Sequence, residues 1–195
     1  NWQRRYRLPA LSLSVNVSMR QLDEPGFAEH VREVLTRTGL DPANLVVEIT
    51  ETVLAGPSGR AAPALDALRQ MGVRVALDDF GTGYSSIGYL HTLPVDILKI
   101  DRSFVSGEQA DTRDDVLLAT IVSLGQRLGL EVIPEGIEQP DQLARLRALG
   151  CHTGQGFLMS RPVSAAGVDA LLDGHSFLLP PLVTDGEAGI PVGVI

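Results

Sequence analysis

The sequence predicts an α/β chain in which short strands alternate with longer helices around a parallel sheet. Three observations predict it. Short β-branched or apolar runs recur between segments whose apolar residues repeat at helical spacing. Most of the helical segments stop at a glycine. Almost every strand also carries a charged or amide residue within it or at its end, where a strand buried on both faces should be wholly apolar.

Six strands are expected, at Leu11 to Val17, Leu45 to Thr50, Val73 to Leu77, Ile97 to Ile100, Glu131 to Pro134 and Thr153 to Leu158. After the first, "GFAEHVREVLTRTG" (26–39) places Phe27, Val31, Val34 and Leu35 on one helical stripe and ends at Gly39. After the second, "SGRAAPALDALRQMG" reads the same way and ends at Gly72. "DDVLLATIVSLGQRLG" precedes the fifth strand and ends at Gly129, and "QPDQLARLRALG" follows it and ends at Gly150. "VSAAGVDALLDG" (163–174) is the last helix expected. Beyond it "HSFLLPPLVTDGEAGIPVGVI" loses periodicity and gains Pro and Gly, so residues 1–174 are expected to form one domain and 175–195 a tail or linker.

The bulk properties narrow the function. A chain of 195 residues, 44% hydrophobic, can bury one sizeable core. Its net charge of −8 argues against a polymeric nucleic acid or an anionic membrane surface as partner, since either needs clustered Lys and Arg. The single cysteine, Cys151, cannot form an internal disulfide and reads as a small buried hydrophobe. No apolar run reaches the length of a membrane span, and "NWQRRYRLPAL" lacks the apolar stretch of a signal peptide. A cytoplasmic location without direct membrane contact is expected, with a membrane-anchored parent protein left open.

The polar residues on the strands carry the chemistry. "SVNVS" holds Asn16, "VVEITE" Glu48 and Glu51, "ALDDF" Asp78 and Asp79, "ILKID" Lys99 and Asp101, "IPEGIE" Glu135 and Glu138, and "TGQGF" Gln155. Strand alternation places Asn16 opposite Val15 and Val17, and Glu48 opposite Val47 and Ile49. Parallel strands present their C-terminal ends at one rim, the rim on which (β/α)8 barrels build active sites. Carboxylates gathered there repel one another and are costly to desolvate unless a cation compensates. Oxygen donors without sulfur or histidine favour Mg2+, Mn2+ or Ca2+. Two adjacent aspartates can serve a two-metal centre of the kind that cleaves phosphoesters. Singly, each residue has a plainer reading: the Asp pair as a turn or cap, Asn16 as a buried amide, Glu48 as an ion-pair partner, Lys99 and Asp101 as a rim pair, Gln155 as part of a tight turn. Their recurrence at one rim favours the joint reading.

The stretches "VNVS", "EITE", "DDFGTGYSS", "PVDILKIDRSFV", "EGIE" and "QGFLMSRP", in this order and spacing, resemble the EAL domain, the bacterial family of cyclic di-GMP phosphodiesterases. The resemblance covers residues 11 to about 172 and implies a TIM-like (β/α)8 barrel of the EAL type. It implies two divalent ions, Mg2+ or Mn2+, one held by Asn16, Glu48 and Asp78 and the other by Asp78, Asp79 and Glu135. Lys99 and Gln155 would then position or activate water, with Glu135 counted among the catalytic groups. Glu51 would steady the loop Phe80 to Ser86, and Glu138 and Asp101 would support the site. The implied reaction is hydrolysis of cyclic di-GMP to linear pGpG in second-messenger signalling, with homodimerisation through "IGYLHTLPVD".

Five departures from the family pattern are visible, among them "CHTGQG", which lacks the acidic residue common after the cysteine. Its namesake Glu-Ala-Leu motif precedes "VNVS" and is not among these 195 residues, so the barrel is expected to lack its first two strands here. Pro134 stands where Ala is usual, Phe157 where Tyr is usual, and Met159 where an aromatic is usual. The alternative reading is a non-catalytic cyclic di-GMP receptor or a regulatory dimerisation module.

Overall fold

The computed structural model describes residues 2–6, 11–51, 61–81, 90, 91, 93–106 and 112–173. In chain order the elements are α1 (Trp2–Tyr6), β1 (Leu13–Asn16), α2 (Met19–Leu22), α3 (Phe27–Thr38), β2 (Leu45–Thr50), α4 (Ala61–Gln70), β3 (Arg74–Phe80), β4 (Ile97–Ile100), α5 (Arg102–Val105), α6 (Thr112–Arg127), β5 (Glu131–Pro134), α7 (Pro140–Ala148) and α8 (Ala165–Asp173). A 3-10 turn, Pro42–Asn44, leads into β2 with the Asp41 carboxylate accepting from the Ala43 N–H. No helix among the described residues is long and apolar enough to cross a membrane. The expected tail at 175–195 lies outside the described residues, as do 82–89 of the loop and dimerisation segments.

The chain divides into two compact units. One comprises residues 12–101 and 124–132 and contains most of the sheet. The sheet is parallel with strand order β1-β2-β3-β4-β5, every strand beside its predecessor in sequence. Its register aligns Asn16 with Glu48, Glu48 with Ala76, and Thr50 with Asp78. Such single-direction stepping follows from βα units, because each helix returns the chain to the same end of the strands, one position further across the sheet. Helix α3 ends as its sequence predicts: Gly39 adopts φ 67° and its N–H closes on the Leu35 carbonyl at 2.9 Å.

Burial is deepest in the middle of this sheet. Ile49, Val75, Ala76, Leu98 and Ile100 are fully enclosed, and Leu65 and Leu68 of α4 are equally buried. All four residues of β4 are buried, the pattern of a parallel strand covered on both faces. Strand β1 differs, with Leu13 54% and Val15 43% exposed. At the opposite end of the strands, Asp96 accepts from the Val75 N–H and from Arg69, and Arg74 pairs with Glu131.

The second unit takes in residues 2–11, 102–123 and 133–173. Its core includes Val105, Leu118, Ile121, Val122, Ile137 and Leu146. Arg145 of α7 pairs with Asp115 of α6 at 2.6 Å and donates to the Phe104 and Val105 carbonyls, closing the C-terminal end of α5. Cys151 is buried, and burial pushes its thiol up to about 11.

Two sequence expectations change here. The stretch Thr153 to Leu158 is not a strand: it is irregular and turns at 156–159, because Gly154 and Gly156 interrupt it. It nevertheless runs beside the exit of β5. Gln155 N–H donates to the Pro134 carbonyl, Ile137 N–H to Gln155, and Leu158 N–H to Ile137. The basic opening, given no structure from sequence, forms α1, whose Trp2 indole, Arg5 guanidinium and Tyr6 hydroxyl all donate to the Asp169 carboxylate of α8.

Candidate active site

Three adjacent strands assemble the centre of the site. Lys99 of β4 places its ammonium 2.8 Å from a Glu48 oxygen of β2 and 3.1 Å from an Asp78 oxygen of β3. Glu48 and Lys99 are the two buried charged residues among those described, at 5% and 3% exposure. Each would be prohibitive alone, and the pairing is what lets β2 and β4 carry charge through the core. Two carboxylates around one ammonium still leave excess negative charge.

The second aspartate adds to that excess. The β3–β4 register slips between Leu77 and Phe80, so Asp78 and Asp79 sit at a bulge. Asp79 is the one non-glycine residue with positive φ among those described, at 55°. Asp tolerates this region, and its N–H donates locally to Asp78 Oδ1 at 3.1 Å. The bulge turns Asp79 outward, a common use of bulges beside active sites. Partial burial, then the charges of Asp78, Asp101 and Glu51, push the Asp79 carboxyl above its ordinary range, with Lys99 opposing. An added hard cation would relieve this repulsion, so the all-oxygen donor set fits a divalent metal.

Around this centre, Asn16 is exposed on β1, brought alongside Glu48 by the strand register. Glu51, just after β2, accepts from the Gly81 N–H at 3.0 Å, at the described start of the loop that follows β3. Asp101 lies at the end of β4, close enough to bear on Asp79.

In the second unit, Glu135 follows β5 and is half-buried, as is Gln155. The backbone bonds between 134–137 and 155–158 hold these two residues on neighbouring stretches. Close packing fixes that arrangement. Gly136 has φ 68°, and a Cβ there would lie 2.3 Å from the Arg102 Cβ; one at Gly156 would lie 2.1 Å from the Ile137 carbonyl oxygen. Glu138 is exposed, and its N–H donates to the Gln142 side chain that caps α7.

Sequence reasoning missed the bulge, although an Asp-Asp pair interrupting an apolar strand is its visible trace. It also missed the pairing of Phe157 with Arg161, whose guanidinium lies over the ring at 4.5 Å.

Fold and site together define an α/β protein with an acidic, lysine-centred site at the C-terminal ends of a parallel sheet. Residues 1–162 match the family model described as EAL domain, and the chain belongs to that family. It is 40% identical over 179 residues to the cyclic di-GMP phosphodiesterase NbdA of Pseudomonas aeruginosa, covering 91% of this chain and 23% of NbdA. The chain therefore spans less than a quarter of that relative's length. Its fold matches the MucR phosphodiesterase solved as a c-di-GMP complex, with TM-score 0.74 and 39% identity over 80% of this chain and 64% of the other. Klebsiella pneumoniae BlrP1, solved as calcium and manganese complexes with cy-diGMP, matches with TM-score 0.74 and 29% identity over 82% of this chain and 41% of the other.

Proposed function

We propose that this chain forms the larger part of a metal-dependent phosphodiesterase domain that hydrolyses cyclic di-GMP to linear pGpG in bacterial second-messenger signalling. The observation that carries this reading is the buried Lys99 ammonium between Glu48 and Asp78 at the ends of three adjacent strands. Names of relatives such as NbdA support the substrate class.

In this reading Asn16, Glu48 and Asp78 hold one divalent ion, Mg2+ or Mn2+, and Asp78, Asp79 and Glu135 hold the other. Bound ions of this kind lower the pKa of water and neutralise charge developing on the phosphoryl oxygens. Lys99, fixed by its two carboxylate partners, orients the attacking water and offers positive charge to the phosphorane-like transition state. Gln155 donates or accepts a hydrogen bond from the same water. The water oxygen bonds to phosphorus, the P–O3′ bond breaks, and the departing 3′ oxygen takes a proton to become the free hydroxyl of pGpG. Glu51 holds the loop that begins at Gly81, and Asp101 and Glu138 lend support. The domain extends over 1–174 with a tail at 175–195, acts in the cytoplasm, and pairs with a second copy through the segment following the loop.

The test is hydrolysis of cyclic di-GMP with Mg2+ or Mn2+ by this chain, by a form extended upstream, and by Asp78→Asn. Wild-type turnover should fall by more than about 100-fold in Asp78→Asn, beyond the loss usual for a mere supporter of a metal ligand. Equal turnover in the two would refute the two-metal reading. Binding without cleavage by both wild-type forms would establish a receptor instead.

A further inference from the structure

Asp96 stands directly before β4 and ties three strands together, a role the proposed chemistry leaves unused. Its N–H donates to the Val75 carbonyl of β3 at 2.8 Å, and its Oδ2 accepts the Val75 N–H at 2.9 Å. Its carbonyl accepts the Glu131 N–H of β5 at 3.0 Å. Arg69 of α4 holds the other carboxylate oxygen, Oδ1, through Nε at 3.2 Å and Nη2 at 2.9 Å, so the side chain cannot swing away from Val75 without breaking these bonds. All of these residues lie in the same compact unit as Glu48, Asp78 and Lys99.

What this lock controls is register. Ala76 pairs with Ile97 and Leu77 with Leu98, but above them Phe80 pairs with Ile100. Asp78 and Asp79 of β3 therefore both face Lys99 of β4, which is the bulge. The shifted pairing above the bulge offers the residues below it an alternative. If β4 adopted that pairing throughout, Lys99 would meet Asp79 and Leu98 would meet Asp78. Paired residues share a face of the sheet, so Asp78 and Lys99 would be parted. Apolar side chains such as Leu77 and Leu98 do not specify a single partner, whereas hydrogen bonds do. A slip of one residue moves the Asp96 carboxylate about 3.3 Å along the strand from the Val75 N–H.

We propose that Asp96 is a positioning residue of the site: by bonding Val75 it fixes the β3–β4 register at the N-terminal ends of the strands, so that Lys99 meets Asp78 at their C-terminal ends. This rests on the phosphodiesterase reading and adds to it a determinant at the far end of the sheet.

The experiment compares wild type with Asp96→Asn, Asp96→Glu and Asp96→Ala in the full chain, by calorimetric titration with Mn2+ and by NMR backbone contacts between Ala76 and Ile97. Asp96→Asn keeps an acceptor at the same reach and loses the charge, whereas Asp96→Glu keeps the charge on a side chain one methylene too long. Asp96→Ala and Asp96→Glu should weaken Mn2+ binding about tenfold and lose the Ala76–Ile97 contact, while Asp96→Asn retains both. Arg74→Ala breaks the ion pair with Glu131 at the same end of the sheet and should leave affinity and contact as in wild type, which separates register from stability. Should Asp96→Ala not fold, the order of the other two decides. Impairment of Asp96→Asn as great as that of Asp96→Glu would overturn the proposal in favour of a plain ion pair with Arg69. Wild-type affinity and contact in Asp96→Glu would overturn it outright, as would a loss in Arg74→Ala equal to that in Asp96→Glu. A wild type that binds no Mn2+ would overturn the metal reading alone, since the Ala76–Ile97 contact still decides the register.

Discussion

Strands β4 and β1 belong to one sheet and both carry a polar residue assigned to the site, yet they hold it by opposite means. In β4 all four residues are buried and Lys99 is locked between two carboxylates. In β1 the apolar side chains Leu13 and Val15 are themselves exposed, and Asn16 is exposed with them. The difference teaches that one half of the site is held by packing and a buried ion pair and the other by strand pairing. Around Lys99 geometry is enforced by packing and by the cost of an unpaired buried charge. At Asn16 only backbone pairing with β2 sets the position.

The sharpest way to break this comparison is Lys99→Ala. It strands the Glu48 carboxylate in the core, and the expected loss is about 3 kcal/mol or more of unfolding free energy, together with loss of turnover. Urea unfolding without metal measures the first. A stability equal to wild type would mean that Glu48 is solvated or protonated and that the buried pair is not what organises the sheet. Next in size is the contrast between Leu98→Ala and Leu13→Ala. The fully buried Leu98 should cost about 3 kcal/mol, and the exposed Leu13 less than about 0.5 kcal/mol. Similar losses at both positions would show that β1 is covered in solution. Smallest in stability is Asn16→Ala, expected to fall within about 0.5 kcal/mol of wild type while weakening Mn2+ binding. Calorimetric titration with Mn2+ reads the second effect, and unaltered affinity would remove Asn16 from the ligand set.

The same contrast marks what sequence made legible. Strands β2 to β5 were readable because a buried parallel strand is an apolar run, and a Glu, Asp or Lys inside it has few innocent explanations. The helix ends were readable because glycine at a helix C-terminus reflects a backbone requirement. Gln155 was placed on a strand because "TGQGFL" has enough apolar character to imitate one. Its glycines instead permit a close approach to Ile137, a tertiary matter that periodicity does not encode. The Asp78–Asp79 bulge escaped for a related reason: a one-residue slip in register is decided by the neighbouring strand. The Trp2–Asp169 bonds join residues 167 positions apart, and no local pattern announces them.

That last junction has a consequence for how the polypeptide is made. Helix α1 has five residues, too few to persist alone in water. Its three polar anchors all meet the Asp169 carboxylate of α8. A ribosome delivers Trp2 167 residues before Asp169, so this segment stays without its anchor until α8 has been made. This corner of the molecule contributes the slow, non-local kind of contact that lengthens folding times. Trp2, the only tryptophan in the sequence, is the natural fluorophore for timing that closure.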